Sequence, residues 1–136
     1  FETFVRPYQK ELHEKILQTG IRHIYCHICG EQNKNLPLWR KIPMGNPGIV
    51  SFGHEVAIET AVKFFGRDCI IAGNIEPAVI HMGRPDEIYR LCMAALAQGS
   101  QAPRGYILMP GCGIPPNVPT QNLLMLKKAA SDFMDG

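Results

Sequence analysis

Residues 24–30 read Ile-Tyr-Cys-His-Ile-Cys-Gly, a buried strand running into a turn. Strand side chains alternate between faces. His27 and Cys29 lie two residues apart, so both point to one face near the strand's C-terminal end. Cys26 points to the other. A His and a Cys brought together this way make half of a tetrahedral zinc site. The candidate third ligand is Cys112, in Met-Pro-Gly-Cys-Gly-Ile-Pro-Pro at 109–116, at the end of another strand-like run.

Working outward, residues 1–19 carry Val5, Tyr8, Leu12 and Ile16 at three- and four-residue steps, an apolar helical stripe. Pro7 suits a first turn and Gly20 a helix stop. The strand then spans 21–29. Residues 31–48 are irregular, with Pro37, Pro43 and Pro47, a short helix over 36–41 and Trp39 as a packing anchor. A second strand over 49–52 ends at Gly53-His54-Glu55, and a helix follows over 56–65. The third strand, 69–72, ends in Gly73-Asn74-Ile75-Glu76-Pro77. A helix opens at Pro85, with Asp86 and Glu87 favouring its N-terminal dipole. The fourth strand is 106–109, and Thr120 caps a last helix that turns Leu123, Leu124, Met125, Ala130 and Phe133 toward the core.

Each strand is short, continuous and apolar, the pattern of strands buried on both faces of a parallel sheet. Each ends in Gly beside polar or reactive residues. In a (β/α) barrel the C-terminal strand ends build the active site. Four βα units make half of an eight-stranded (β/α)8 TIM barrel. A doubly wound open sheet is the alternative, and it places ligands at the same ends. The expected class is therefore α/β, in a single domain over 1–136.

The chain has 136 residues, is 46% apolar and 19% charged, and carries a formal net charge of +2. Interspersed charge of that size argues against a nucleic-acid or anionic-membrane surface. No apolar run reaches the roughly 18–20 residues of a membrane span, and there is no signal-peptide pattern. Five cysteines at irregular spacing do not form a secreted disulfide framework; reduced thiols in a cytoplasm, some of them metal ligands, fit better. The first residue is Phe1, and the chain opens directly into a helical pattern, as a piece of a longer protein would.

His27-Ile28-Cys29-Gly30, Gly73-Asn74-Ile75-Glu76-Pro77 and the stretch from Gly111 to Leu123 resemble the C-terminal half of the uroporphyrinogen decarboxylase superfamily. Within it they are most similar to the zinc-dependent methylcobamide:thiol methyltransferases, such as the methylcobamide:coenzyme M enzymes. The opening helix resembles the one before the corresponding strand. Decarboxylases of the superfamily usually have a His where this chain has Cys112, so Gly-Cys-Gly-Ile with His27-x-Cys29 favours the methyltransferase branch. The connection over 31–48 departs from the pattern, being long and Pro-rich.

The resemblance implies a C-terminal half-barrel whose N-terminal half is absent, with zinc on His27, Cys29 and Cys112. It implies a corrinoid carried by a separate methylated protein, and a small thiol such as coenzyme M as acceptor. Zinc activates the thiol by stabilising its thiolate, which then attacks methyl-cobalt(III) and leaves cobalt(I). Glu76 and His54 are the candidate catalytic groups. Asn74, Gly111 and Gly113 are the candidate cofactor contacts, the glycines by admitting a metal or substrate close to the backbone. Glu76, Glu55, His54 or Asn74 would hydrogen-bond the free ring nitrogen of His27, and Glu76 could fill the fourth zinc position. Two further readings stay open. One is a metal-independent decarboxylase. The other is a non-catalytic half-barrel that pairs as a homodimer or with a complementary barrel half. His13, His23 and His81 read as surface or packing residues, and Cys69 and Cys92 as small buried hydrophobes.

Overall fold

The computed structural model describes residues 1–136. Its core is a four-stranded sheet in the order β1-β2-β3-β4, every neighbouring pair parallel. The strands are β1 (Tyr25–Ile28), β2 (Gly48–Phe52), β3 (Cys69–Ile75) and β4 (Tyr106–Pro110). Helix α1 (Arg6–Gln18) precedes β1, and the short α2 (Leu36–Trp39) follows it. Between β2 and β3 runs α3 (Ile58–Phe65). Helices α4 (Pro77–Met82) and α5 (Pro85–Gly99) join β3 to β4, and α6 (Thr120–Asp135) closes the chain. No helix is long and apolar enough to cross a membrane.

The register sorts the strand residues onto two faces. Ile28, Val50, Phe52, Ile71 and Ile75 face the helices and are nearly free of solvent. Two apolar clusters cover that face. One joins Ile28, Val50, Phe52 and Ile71 to Trp39, Ala61 and Phe65. The other packs Ile75 with Ile58, Ile80, Ile88, Cys92 and Ala129 under α4, α5 and α6. Phe1 tilts against the Trp39 ring at 5.0 Å between centroids, so Trp39 is the anchor its sequence position suggested. Burying Ile or Phe side chains of this kind contributes roughly 1.5–3 kcal/mol each.

The other face carries Tyr25, His27, Ser51, Ile107 and Met109, and here the expectation of burial on both faces is corrected. Tyr25 is 52% exposed and Ile107 42%. The exposure is at the two edge strands; on the inner strands Ser51 and Ala72 of the same face are buried at 1% each, and the apolar clusters that join strands to helices lie on the opposite face. The α1 stripe is corrected in the same way. Tyr8 is 68% and Leu12 51% exposed, and the one buried residue of α1 is His13, whose Nδ1 is 2.8 Å from the Pro43 carbonyl.

Other boundaries shift for local reasons. Strand β1 is shorter than its apolar run, since residues 22–24 turn aside to residues 44–46 through an antiparallel bridge from His23 to Gly45. Strand β3 runs on to Ile75, held by pairing of Gly73, Asn74 and Ile75 with Leu108, Met109 and Pro110. Helix α4 was not anticipated: Pro77 at its first position starts a helix directly after Glu76. Thr120 is the first residue of α6 rather than its cap, and Pro119 holds the cap position without a side-chain bond. In α6 the apolar Leu123 and Leu124 are exposed, whereas Asn122 is buried. Its amide donates to the carbonyls of Ile80 (2.9 Å) and Gly83 (3.1 Å), tying α6 to the end of α4.

Candidate metal centre

His27 lies within β1, Cys29 one residue past its end, and Cys112 two residues past β4. Strands β1 and β4 are the two edges of the sheet. Three inter-strand steps of about 4.8 Å would hold them roughly 14 Å apart in a flat sheet. Cysteine side chains are too short to cross that gap, yet Cys29 Sγ and Cys112 Sγ are 3.5 Å apart. The sheet therefore curls, and the face bearing Tyr25 and His27 is concave. A second contact spans the same edges, with the Tyr25 hydroxyl 3.6 Å from Met109 Sδ.

The nitrogen of His27 and the two sulfurs all lie within 4.8 Å of one another. A zinc ion binds sulfur at about 2.3 Å, which puts two tetrahedral thiolates roughly 3.8 Å apart. The observed sulfur separation is close to that edge, and one imidazole with two thiols is a zinc-type donor set. The residues fit the metal. The Cys29 thiol is pushed up from its ordinary value, first by its hydrogen bond with Cys112, then by repulsion from the Cys112 sulfur, and least by the Glu55 charge.

Glycine builds the approach. Gly111 is buried, and its N–H donates to the Ile75 carbonyl at 2.7 Å. A Cβ there would lie 3.0 Å from the His54 nitrogen and 3.2 Å from the Asn74 carbonyl oxygen. Glycine lets the chain before Cys112 pass close to the ends of β2 and β3 without pressing on their backbone. Gly30 turns the chain after Cys29 at φ +75°. Gly113 has open space around it and lines a cavity of about 260 Å³ with Tyr25, His27, Met109 and Cys112.

The remaining candidates take different places. His54 stands between two carboxylates, Nδ1 3.7 Å from Glu55 and Nε2 3.9 Å from Glu76, both beyond hydrogen-bonding range. His54, Glu76 and Asn74 line a second cavity of about 330 Å³ that runs toward α5. Glu76 lies outside the His-Cys-Cys cluster, and Glu55 is the carboxylate whose charge Cys29 feels. The Asn74 amide is committed to backbone, donating to Val56 (2.6 Å) and Gly53 (3.3 Å) carbonyls. It staples the ends of β2 and β3.

None of Glu55, Glu76, His54 or Asn74 bonds the ring of His27, which corrects that expectation. The partner of Nδ1 is Ser51 Oγ, at 2.7 Å, and Ser51 Oγ also meets the Tyr25 hydroxyl at 2.9 Å. Register explains the substitution. Ser51 is the direct neighbour of His27 across β1 and β2, whereas the carboxylates lie beyond the strand ends. The signal was present in Gly-Ile-Val-Ser-Phe (48–52), where one hydroxyl interrupts a buried apolar strand.

Residues 1–133 match the family model described as uroporphyrinogen decarboxylase (URO-D). The chain belongs to the uroporphyrinogen decarboxylase family. Curated relatives include a protein named methylcobamide:CoM methyltransferase MtbA from Methanosarcina acetivorans, 27% identical over 134 residues. Another is methylcobamide:CoM methyltransferase MtaA from Methanosarcina barkeri, 30% identical over 137 residues. A protein named uroporphyrinogen decarboxylase from Trichodesmium erythraeum is 27% identical over 133 residues. These alignments cover 97–98% of this chain and 36–37% of each relative, so the chain spans a little over a third of their length. Among solved structures, a methyltransferase from Methanosarcina mazei matches with a TM-score of 0.78 at 22% identity, over 98% of this chain and 37% of that one. The URO-D fold thus accounts for the parallel sheet as part of a (β/α) barrel.

Proposed function

We propose that this chain carries the zinc centre of a methyltransferase that moves a methyl group from a methylated corrinoid protein to a small thiol. One observation carries the reading: His27, Cys29 and Cys112 converge within 4.8 Å although two of them stand at opposite edges of the sheet. Relatives named as methylcobamide:CoM methyltransferases support it, and the chain is the C-terminal part of such a barrel in this reading. Zinc, when held there, supplies the Lewis acidity that brings a thiol to its thiolate at neutral pH.

The chain's own residues do the rest. Cys29 and Cys112 give up their protons to bind the cation, and the 260 Å³ cavity seats a small thiol against His27, Cys112 and Gly113. His54, flanked by Glu55 and Glu76, is the proton acceptor of this reading. Gly113, with open space around it, keeps the rim low enough for a corrinoid-bearing partner to approach, and Gly111 seats the chain before Cys112 against the strand ends.

The test is zinc content of the full-length protein, purified in reducing buffer, as wild type and as Cys112→Ala. About one zinc per chain, lost in the variant, together with methylcobalamin:thiol turnover that vanishes in the variant, is the expected result. Absence of zinc in the wild type after metal is added back would overturn the reading. It would turn attention to decarboxylation, the activity in the name of the Trichodesmium relative.

A further inference from the structure

Tyr25 is 52% exposed, sits on the concave face two residues before His27, and places its hydroxyl between two very different neighbours. On one side is Ser51 Oγ at 2.9 Å, on the other Met109 Sδ at 3.6 Å. Ser51 is 1% exposed, and its hydroxyl bonds only Tyr25 and His27. The three groups form a chain: His27 Nδ1, Ser51 Oγ, Tyr25 Oη.

The direction of that chain is set at its His27 end. A neutral imidazole that ligates through Nε2 carries its proton on Nδ1. Nδ1 must then donate to Ser51 Oγ. Ser51 has one proton of its own, and Tyr25 Oη is the remaining neighbour that can accept it. The phenol proton is thereby excluded from the Ser51 bond and turns outward. What it meets there is a thioether sulfur, a weak acceptor. Tyr25, His27, Met109, Cys112 and Gly113 all line the same 260 Å³ cavity.

We propose that Tyr25 is a substrate-contacting residue. Its hydroxyl, oriented through Ser51 once His27 ligates by Nε2, donates a hydrogen bond to an oxygen on the tail of the incoming thiol, displacing the contact with Met109. Ser51 is the positioning residue of the relay. This rests on the zinc-centre reading and adds to it the residue that contacts the tail of the thiol.

The experiment uses full-length protein with cobalt(II) in place of zinc, whose thiolate charge-transfer absorption reports thiol binding without turnover. The probes are 2-mercaptoethanol and 1-propanethiol, nearly isosteric and differing in one oxygen. Wild type should bind 2-mercaptoethanol about three- to tenfold more tightly, the worth of one hydrogen bond. Tyr25→Phe should abolish that preference while binding cobalt as wild type does. Ser51→Ala should weaken cobalt binding about 10- to 100-fold, as loss of a ligand's hydrogen-bond partner does. In ¹⁵N-histidine spectra of the zinc form it should also speed exchange of the His27 Nδ1 proton. Equal affinity of wild type for the two thiols, or a preference surviving in Tyr25→Phe, would overturn the role of Tyr25 and leave the metal centre standing. Failure of wild type to bind cobalt or zinc would overturn both.

Discussion

At the residue scale, the cysteines divide by environment. Cys29 and Cys112 are exposed and adjacent, Cys26 is half-buried, and Cys69 and Cys92 are buried. A thiol-modifying reagent at neutral pH should label Cys29 and Cys112 first in metal-free protein, and zinc should protect both; peptide mass mapping reads the outcome. Gly111→Ala is expected to destabilise the protein by ~1–3 kcal/mol, because the added Cβ presses on fixed backbone at His54 and Asn74. It should also displace Cys112 and reduce zinc binding, measured by urea denaturation and metal analysis. Period-two alternation in Tyr25-Cys26-His27-Ile28-Cys29 was enough to put two candidate ligands on one face. The partner of His27 was harder to read, because it lies on another strand and only the register between β1 and β2 brings Ser51 opposite it.

At the element scale, the strands were legible and their ends were not. Apolar runs located all four, but β3 continues through Gly73-Asn74-Ile75, which reads as a turn. Pairing with β4 outweighs that local preference. The α1 stripe had helical spacing, yet spacing cannot say whether a partner exists to cover it. Asn74 shows what holds the β2 and β3 ends together. Asn74→Ala leaves the Val56 carbonyl without its donor, while the Gly53 carbonyl keeps the Val56 N–H, and should cost ~1–3 kcal/mol by urea denaturation. Two buried thiols on elements of the sheet and α5 give the fold an alkaline limit. Burial pushes Cys69 and Cys92 each up to about 11 from an ordinary 9.0. Below pH 9 both states keep these protons and stability is unaffected. Between about 9 and 11 the unfolded chain sheds them while the folded chain does not, so stability falls as pH rises. Urea midpoints at pH 8 and 10.5 should show that fall, and Cys92→Ala should lessen it.

At the scale of the whole molecule, the concave sheet face and the α1 stripe leave Phe4, Tyr8, Leu12, Tyr25 and Ile107 uncovered. Exposed apolar surface of this kind promotes association, and β1 and β4 are the edges of the sheet. The 136-residue chain by itself should sediment with a concentration-dependent coefficient, and Tyr8→Glu with Leu12→Lys should reduce that dependence. The parallel α/β sheet was legible because short apolar strands alternate with helical stretches; the choice of a half-barrel over a doubly wound sheet came from the family resemblance, since glycine beside a reactive group at each strand end fits both. How far the sheet curls was not legible, since no local pattern encodes it.

That curl has a mechanical side. Cys29 and Cys112 are 83 positions apart and belong to opposite rims. A cation gripped by both acts as a drawstring, closing a long loop whose ends would otherwise wander. Tension on the sheet and hold on the cation are then reciprocal. Whatever flattens the sheet loosens the ion, and whatever tightens the ion bends the sheet by the same free energy.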